Sequence, residues 1–222
     1  DRAPAAAAPP APPPKATAIR PATASQTASQ TAGPYVHIGL APKAAGFDIY
    51  KRELGWDIAG PNAKGERIRI EGSVIDGMGA PIKDALLELW QANSEGNYAH
   101  PQGGDPVEEG FRGWGRVITD LTTGDWGVET VKPGTTLDSR GRPQAPHITL
   151  WLVARGINVG LNTRLYFSDE AEANAADPVL NMIEWEHRRA TLIAQRSQRD
   201  GKPVYRFDIR LQGEAETVFF DI

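Results

Sequence analysis

The chain has no cysteine among its 222 residues. Disulfide frameworks, thiolate metal sites and cysteine nucleophiles are thereby excluded, and a reducing cytoplasm is the expected home. No apolar run approaches the roughly 18 residues that a membrane-spanning helix needs. No basic start followed by an apolar core opens the sequence, so no secretion signal is expected. Net charge is −4 and no basic stripe is present, which argues against nucleic acid as a partner. GxSxG nucleophile elbows, Walker loops and dinucleotide fingerprints are missing. The 4 histidines, His37, His100, His147 and His187, form neither an HxH nor an HExxH pair. Taken singly, each reads first as a packed or solvated histidine, His187 on a solvated face beside Arg188 and Arg189.

What remains is a chain long enough for one large all-β domain with a substantial core. Its centre is the stretch Arg142 to Arg155. From His147 the residues alternate, so His147, Thr149, Trp151 and Val153 share one face of a strand and Ile148, Leu150, Leu152 and Ala154 the other. A histidine two positions before a second ligand is a good metal platform. Here the second position is Thr149, which ligates softly at best.

Residues 1–30 are almost entirely Ala, Pro, Thr, Ser and Gln, with too little apolar bulk to offset ordering entropy. They read as an extension, extended or held by a partner, ahead of a single domain over 31–222. Gly33-Pro34 signals a turn, and Tyr35 to Leu40 is expected as a short strand. Lys51 to Gly65 reads as loop. Strands are expected over Arg67–Asp76, Ala85–Ala92, Trp114–Asp120, Trp126–Val131, from His147, and over Asn162–Phe167. Asp76 to Pro81 is a turn, and Asn93 to Gly113 a long polar loop carrying Tyr98 and His100. Glu170–Ala176 is a short helix candidate and Pro178–Gln195 a longer one. Asp200-Gly201 marks a hairpin turn before a strand over Val204–Leu211, and Thr217–Ile222 is expected as the last strand. Many short strands between Gly/Pro turns predict a mainly β fold, a β-sandwich with a short helical segment near residues 170–195. Trp90, Trp114, Trp126 and Trp151 lie on strands, where core packing is the first reading.

An ordered series of motifs narrows the function. Trp90-Gln91-Ala92-Asn93 with Gly96 and Tyr98, Gly113-Trp114-Gly115-Arg116, Thr119-Asp120, Lys132-Pro133-Gly134 and Pro146-His147-Ile148 together resemble the intradiol ring-cleaving dioxygenases, which use non-haem ferric iron. Thr31 to Leu40, Ala154 to Asn158, Thr163 to Phe167 and Glu216 to Asp221 are similar to the alpha-type chain of the family's two-chain members. The resemblance runs from about residue 28 to the C-terminus and implies the family's β-sandwich.

The resemblance also implies a ligand set of two tyrosines and two histidines around the iron. Phenolates are hard anionic donors suited to ferric iron. The positions that match are Tyr98, Thr136, His147 and Thr149, so two of the four ligands are replaced. This chain is therefore expected to hold no iron, and ferric iron is expected on a partner beta chain with intact ligands, in a larger alpha-beta oligomer. Arg155 and the segment Thr31, Gly33, Pro34 and Tyr35 are implied as this chain's contribution to the partner's pocket. A guanidinium there suits a catechol that carries a carboxylate. The extra residues around Gln144-Ala145 give Arg142 no assigned role. Two other readings stay open: a dioxygenase that recruits metal through Tyr98, His147 and His100, and a sandwich with only a structural or binding role. A related substituted catechol would satisfy the same logic.

Overall fold

The computed structural model describes residues 31–50, 55, 57–99 and 106–221. The Pro/Ala-rich extension and His100 lie outside them. Among the described residues there are eleven strands: β1 Arg67–Ile75, β2 Leu86–Gln91, β3 Trp114–Ile118, β4 Asp125–Val131, β5 Thr136–Leu137, β6 Pro143–Gln144, β7 His147–Val153, β8 Leu161–Phe167, β9 Ile193–Arg199, β10 Lys202–Arg206 and β11 Ile209–Arg210. Helices are short: α1 Val36–Leu40, α2 Ala171–Ala176 and α3 Glu186–Ala190, with a 3-10 turn at Leu180–Met182.

Nine strands follow one pairing path, β11-β1-β10-β9-β8-β7-β2-β3, with β4 on β1. The path folds into two layers. β8 and β9 meet only at Tyr166↔Ile193 and Phe167↔Ala194, and this short parallel contact is the corner between them. The layers face each other across one core. Ile68, Ile70 and Val74 of β1 and Trp126 and Val128 of β4 meet Leu87 and Leu89 of β2, Ile148, Leu150 and Leu152 of β7, and Leu165 and Phe167 of β8. This is the sandwich that the alternating patterns predict, since one face of every strand must leave water.

β7 bears out the expected alternation. Ile148, Leu150 and Leu152 are fully buried in the core, while Trp151 on the other face is exposed. Antiparallel register then sets rows across the outer face of this layer. Trp90 of β2 lies beside Thr149 of β7, which lies beside Arg164 of β8. His147 lies beside Tyr166. At the edge of the core, Lys132 holds a second set of contacts. Its ammonium pairs with Asp169 at 2.9 Å and Glu170 at 2.6 Å, and sits over the rings of Phe167 and Tyr205. The Lys-Pro-Gly turn is thus tied to the start of α2.

Four expectations change. Tyr35–Leu40 contains α1, not a strand, because its amides are satisfied locally: Val36 N donates to Gly33 O at 3.2 Å and Ala41 N to His37 O at 2.8 Å. Pro178–Gln195 is not one helix. The Asp177 carboxylate takes the amides of Val179 at 2.9 Å and Leu180 at 2.8 Å, which fixes a 3-10 turn, and the chain stretches out at Ile183. α3 then ends at Ala190 and β9 begins at Ile193, because the Asp200-Gly201 turn joins two antiparallel strands and so requires a strand before it.

Val204–Leu211 is split between β10 and β11. Both pair with β1, and between them Asp208 bonds Ser73 N at 2.9 Å where Phe207 O crosses Gly72. Thr217–Ile222 forms only an isolated bridge, Asn162↔Phe220, with Ile222 outside the described residues.

Candidate functional site

Four positions expected from the ligand set gather on the outer face of the β8-β7-β2 layer. Tyr98 arrives on the loop after β2. Asn93 shapes that loop, its Oδ1 accepting the amides of Glu95 at 3.0 Å and Asn97 at 2.9 Å. The Tyr98 ring stacks on Trp90, with centroids 6.2 Å apart and planes 6° apart. Its hydroxyl lies 3.4 Å from His147 Nε2. His147 is buried at the first position of β7, and its Nδ1 is 2.8 Å from the Ala145 carbonyl. A carbonyl can only accept, so Nδ1 carries the proton and Nε2 accepts from Tyr98.

Burial first, and then the charge of Arg164, hold the His147 pKa down to about 4. Burial pushes the Tyr98 phenol up. At neutral pH the pair is a neutral phenol donating to a neutral imidazole.

The two replaced positions complete a ring. Thr136 of β5 is buried, and its hydroxyl lies beside the Tyr98 phenol. Thr136 pairs with Gln144 across the β5–β6 ribbon. Gln144 Oε1 accepts from Arg164 Nη1 at 2.6 Å, and Arg164 is the strand partner of Thr149. Ferric iron does not fit this donor set. It offers one phenol, one imidazole whose free nitrogen already faces that phenol, and two alcohols. Among the described residues no group of three or more His, Cys, Asp and Glu could hold a metal ion.

The sequence missed Arg164 and Gln144. The alternation Thr163-Arg164-Leu165-Tyr166-Phe167 carries a signal: with Leu165 and Phe167 in the core, Arg164 must share the outer face with Tyr166. Arg142 has no part in the ring, being paired on the surface with Asp138 at 2.7 Å.

The second set of expected residues lies at the other end of β7. Arg155 follows the strand and is 60% exposed, its Nε 2.6 Å from Asp84 Oδ2. The next amide, Gly156 N, donates to Thr31 Oγ1 at 2.8 Å. That bond ties the N-terminal segment to the Arg155 turn, and Gly33, Pro34 and Tyr35 follow it as exposed chain. At about 3.3 Å per residue, β7 carries the chain roughly 20 Å from His147 to Val153, and Arg155 lies beyond that end. One residue set therefore faces the covered ring and the other faces outward. Tyr35 at 75%, Ile49 at 65% and Tyr50 at 55% exposure add apolar surface on the same N-terminal stretch.

Comparison with known proteins points to one family. The dioxygenase family model matches residues 49–213. The protocatechuate 3,4-dioxygenase alpha chain of Pseudomonas putida is 54% identical over 196 residues, 88% of this chain and 96% of that one. The protocatechuate 3,4-dioxygenase beta chain of Burkholderia cepacia is 34% identical over 163 residues, 69% of this chain and 67% of that one. Among solved structures, the 3-chlorocatechol 1,2-dioxygenase of Rhodococcus opacus 1CP superposes with a TM-score of 0.53 at 20% identity, covering 70% of this chain and 64% of that one, which shows the shared fold.

Proposed function

This chain belongs to the intradiol ring-cleaving dioxygenase family, whose members depend on non-haem iron, and we propose that it is the alpha subunit of a protocatechuate 3,4-dioxygenase. A beta subunit with the full ligand set holds the ferric iron, and the two chains form a larger alpha-beta oligomer in the cytoplasm. The complex breaks the bond between the two hydroxylated ring carbons of protocatechuate and adds one atom of O2 to each, giving beta-carboxy-cis,cis-muconate. The bound iron supplies the redox chemistry by activating the catechol. This chain supplies recognition. Arg155 orients the substrate carboxylate, and Thr31, Gly33, Pro34 and Tyr35 form part of the pocket wall at the subunit boundary.

One observation carries the reading: the chain's own ring holds an Arg164–Gln144 pair, while Arg155 is exposed beyond the opposite end of β7. Beyond its pair with Asp84, a guanidinium so placed is open to a group brought by another molecule. Fixed by Asp84 through Nε, it keeps its Nη edge for a carboxylate, the planar pairing at which arginine excels.

Replacing Arg155 with alanine in the co-purified complex is expected to raise KM for protocatechuate about tenfold or more while kcat changes little, since a charge-assisted hydrogen bond contributes about 1.5–3 kcal/mol to binding. Unchanged steady-state kinetics would contradict the pocket role and leave a structural subunit.

A further inference from the structure

The filled ring has one member that no ligand substitution explains, and that member is charged. Trp90, Thr149 and Arg164 form a single row across β2, β7 and β8. Arg164 therefore starts beside one replaced ligand position. Its guanidinium ends 2.6 Å from Gln144 Oε1, and Gln144 is the ribbon partner of Thr136, the other replaced position. The side chain thus spans the interval between the two lost ligands. Tyr98 and His147 close the remaining side, with the hydroxyl on Nε2.

We propose that Arg164 is the resident cation of this ring: its guanidinium takes the place a metal ion would need, so the chain is closed to iron by a fixed positive charge as well as by two missing donors. A guanidinium stays protonated at any working pH, and its five donors suit neutral acceptors such as the Gln144 carbonyl. It cannot ligate a metal, and a trivalent ion brought beside it meets direct charge repulsion in a partly buried site. The inference rests on the reading that the beta subunit holds the iron, and it adds a barrier that restoring ligands alone does not remove.

The test uses the co-purified alpha-beta complex, with iron counted by elemental analysis and ferric-tyrosinate absorption recorded in the visible range. T136Y/T149H restores both donors and keeps the guanidinium. T136Y/T149H/R164Q removes it as well, and R164Q alone controls for folding. The double variant and R164Q are expected to stay at the wild-type level of about one iron per pair, and the triple variant to reach about two, with absorption roughly doubled. A double variant that reaches about two irons would overturn the proposal, as would a triple variant that stays at about one. Failure of the underlying subunit reading would look different, because the wild-type complex itself would then miss the baseline.

Discussion

Acidifying the solution from about pH 6.5 to pH 4 is expected to cost the folded chain about 3 kcal/mol through His147 alone. His147 is 2% exposed, with Nδ1 committed to Ala145 O and Nε2 facing Tyr98. Burial and the neighbouring Arg164 charge hold its pKa at about 4, against 6.5 for a free imidazole. The unfolded chain therefore takes up the proton first. The stabilising contribution is complete above the free value and is lost as pH falls toward the folded one. Glu71, held at about 2 by Arg199 and Arg69, adds its own loss only below 4.5, so the two windows separate.

Urea unfolding at a series of pH values, wild type beside His147→Gln, isolates the histidine. The wild type is expected to lose stability faster than the variant between about pH 6.5 and 4. Parallel curves would mean that His147 is not held neutral by its surroundings.

Gly96→Ala is expected to destabilise by about 3 kcal/mol or more, from left-handed strain and overpacking together. Gly96 has φ +88, and a Cβ there would overlap the Thr135 carbonyl oxygen. That contact seats the Tyr98 loop directly on the segment carrying Thr136. Gly79 makes the comparison clean. It has φ +85 but nothing within 4 Å of a built Cβ, so Gly79→Ala carries the strain alone, about 1–2 kcal/mol. Equal losses from the two variants would show that loop-to-loop packing at Gly96 contributes little. The same measurement at Tyr98, by its ultraviolet titration, would report whether the ring loosens when Gly96 is forced outward.

Period-two alternation was enough for the strands that carry the site. β1, β2, β7 and β8 each bury one face, and their bounds fall within a residue or so of the expected runs. The reading failed where a partner decides the conformation. Val36 to Leu40 has strand composition but forms its hydrogen bonds within itself. The run from Pro178 has helical apolar spacing, yet Asp177 captures its first amides and the β9–β10 hairpin claims its end. Neither event is written in local periodicity.

The site divides the same way. That Thr136 and Thr149 stand where the resemblance expects ligands was legible in the motif series. The filling of the ring was not, because Arg164 and Gln144 lie 20 residues apart and meet only when β6 and β8 are both placed. His100, which the alternative metal set requires, lies outside the described residues.

Iron analysis of this chain purified alone, beside the same chain co-purified with its beta partner, tests the central claim most directly. The account predicts essentially no iron in the isolated chain and about one iron per alpha-beta pair. Stoichiometric iron in the isolated chain would contradict it, and would mean that Tyr98 and His147 serve a working metal centre in this subunit.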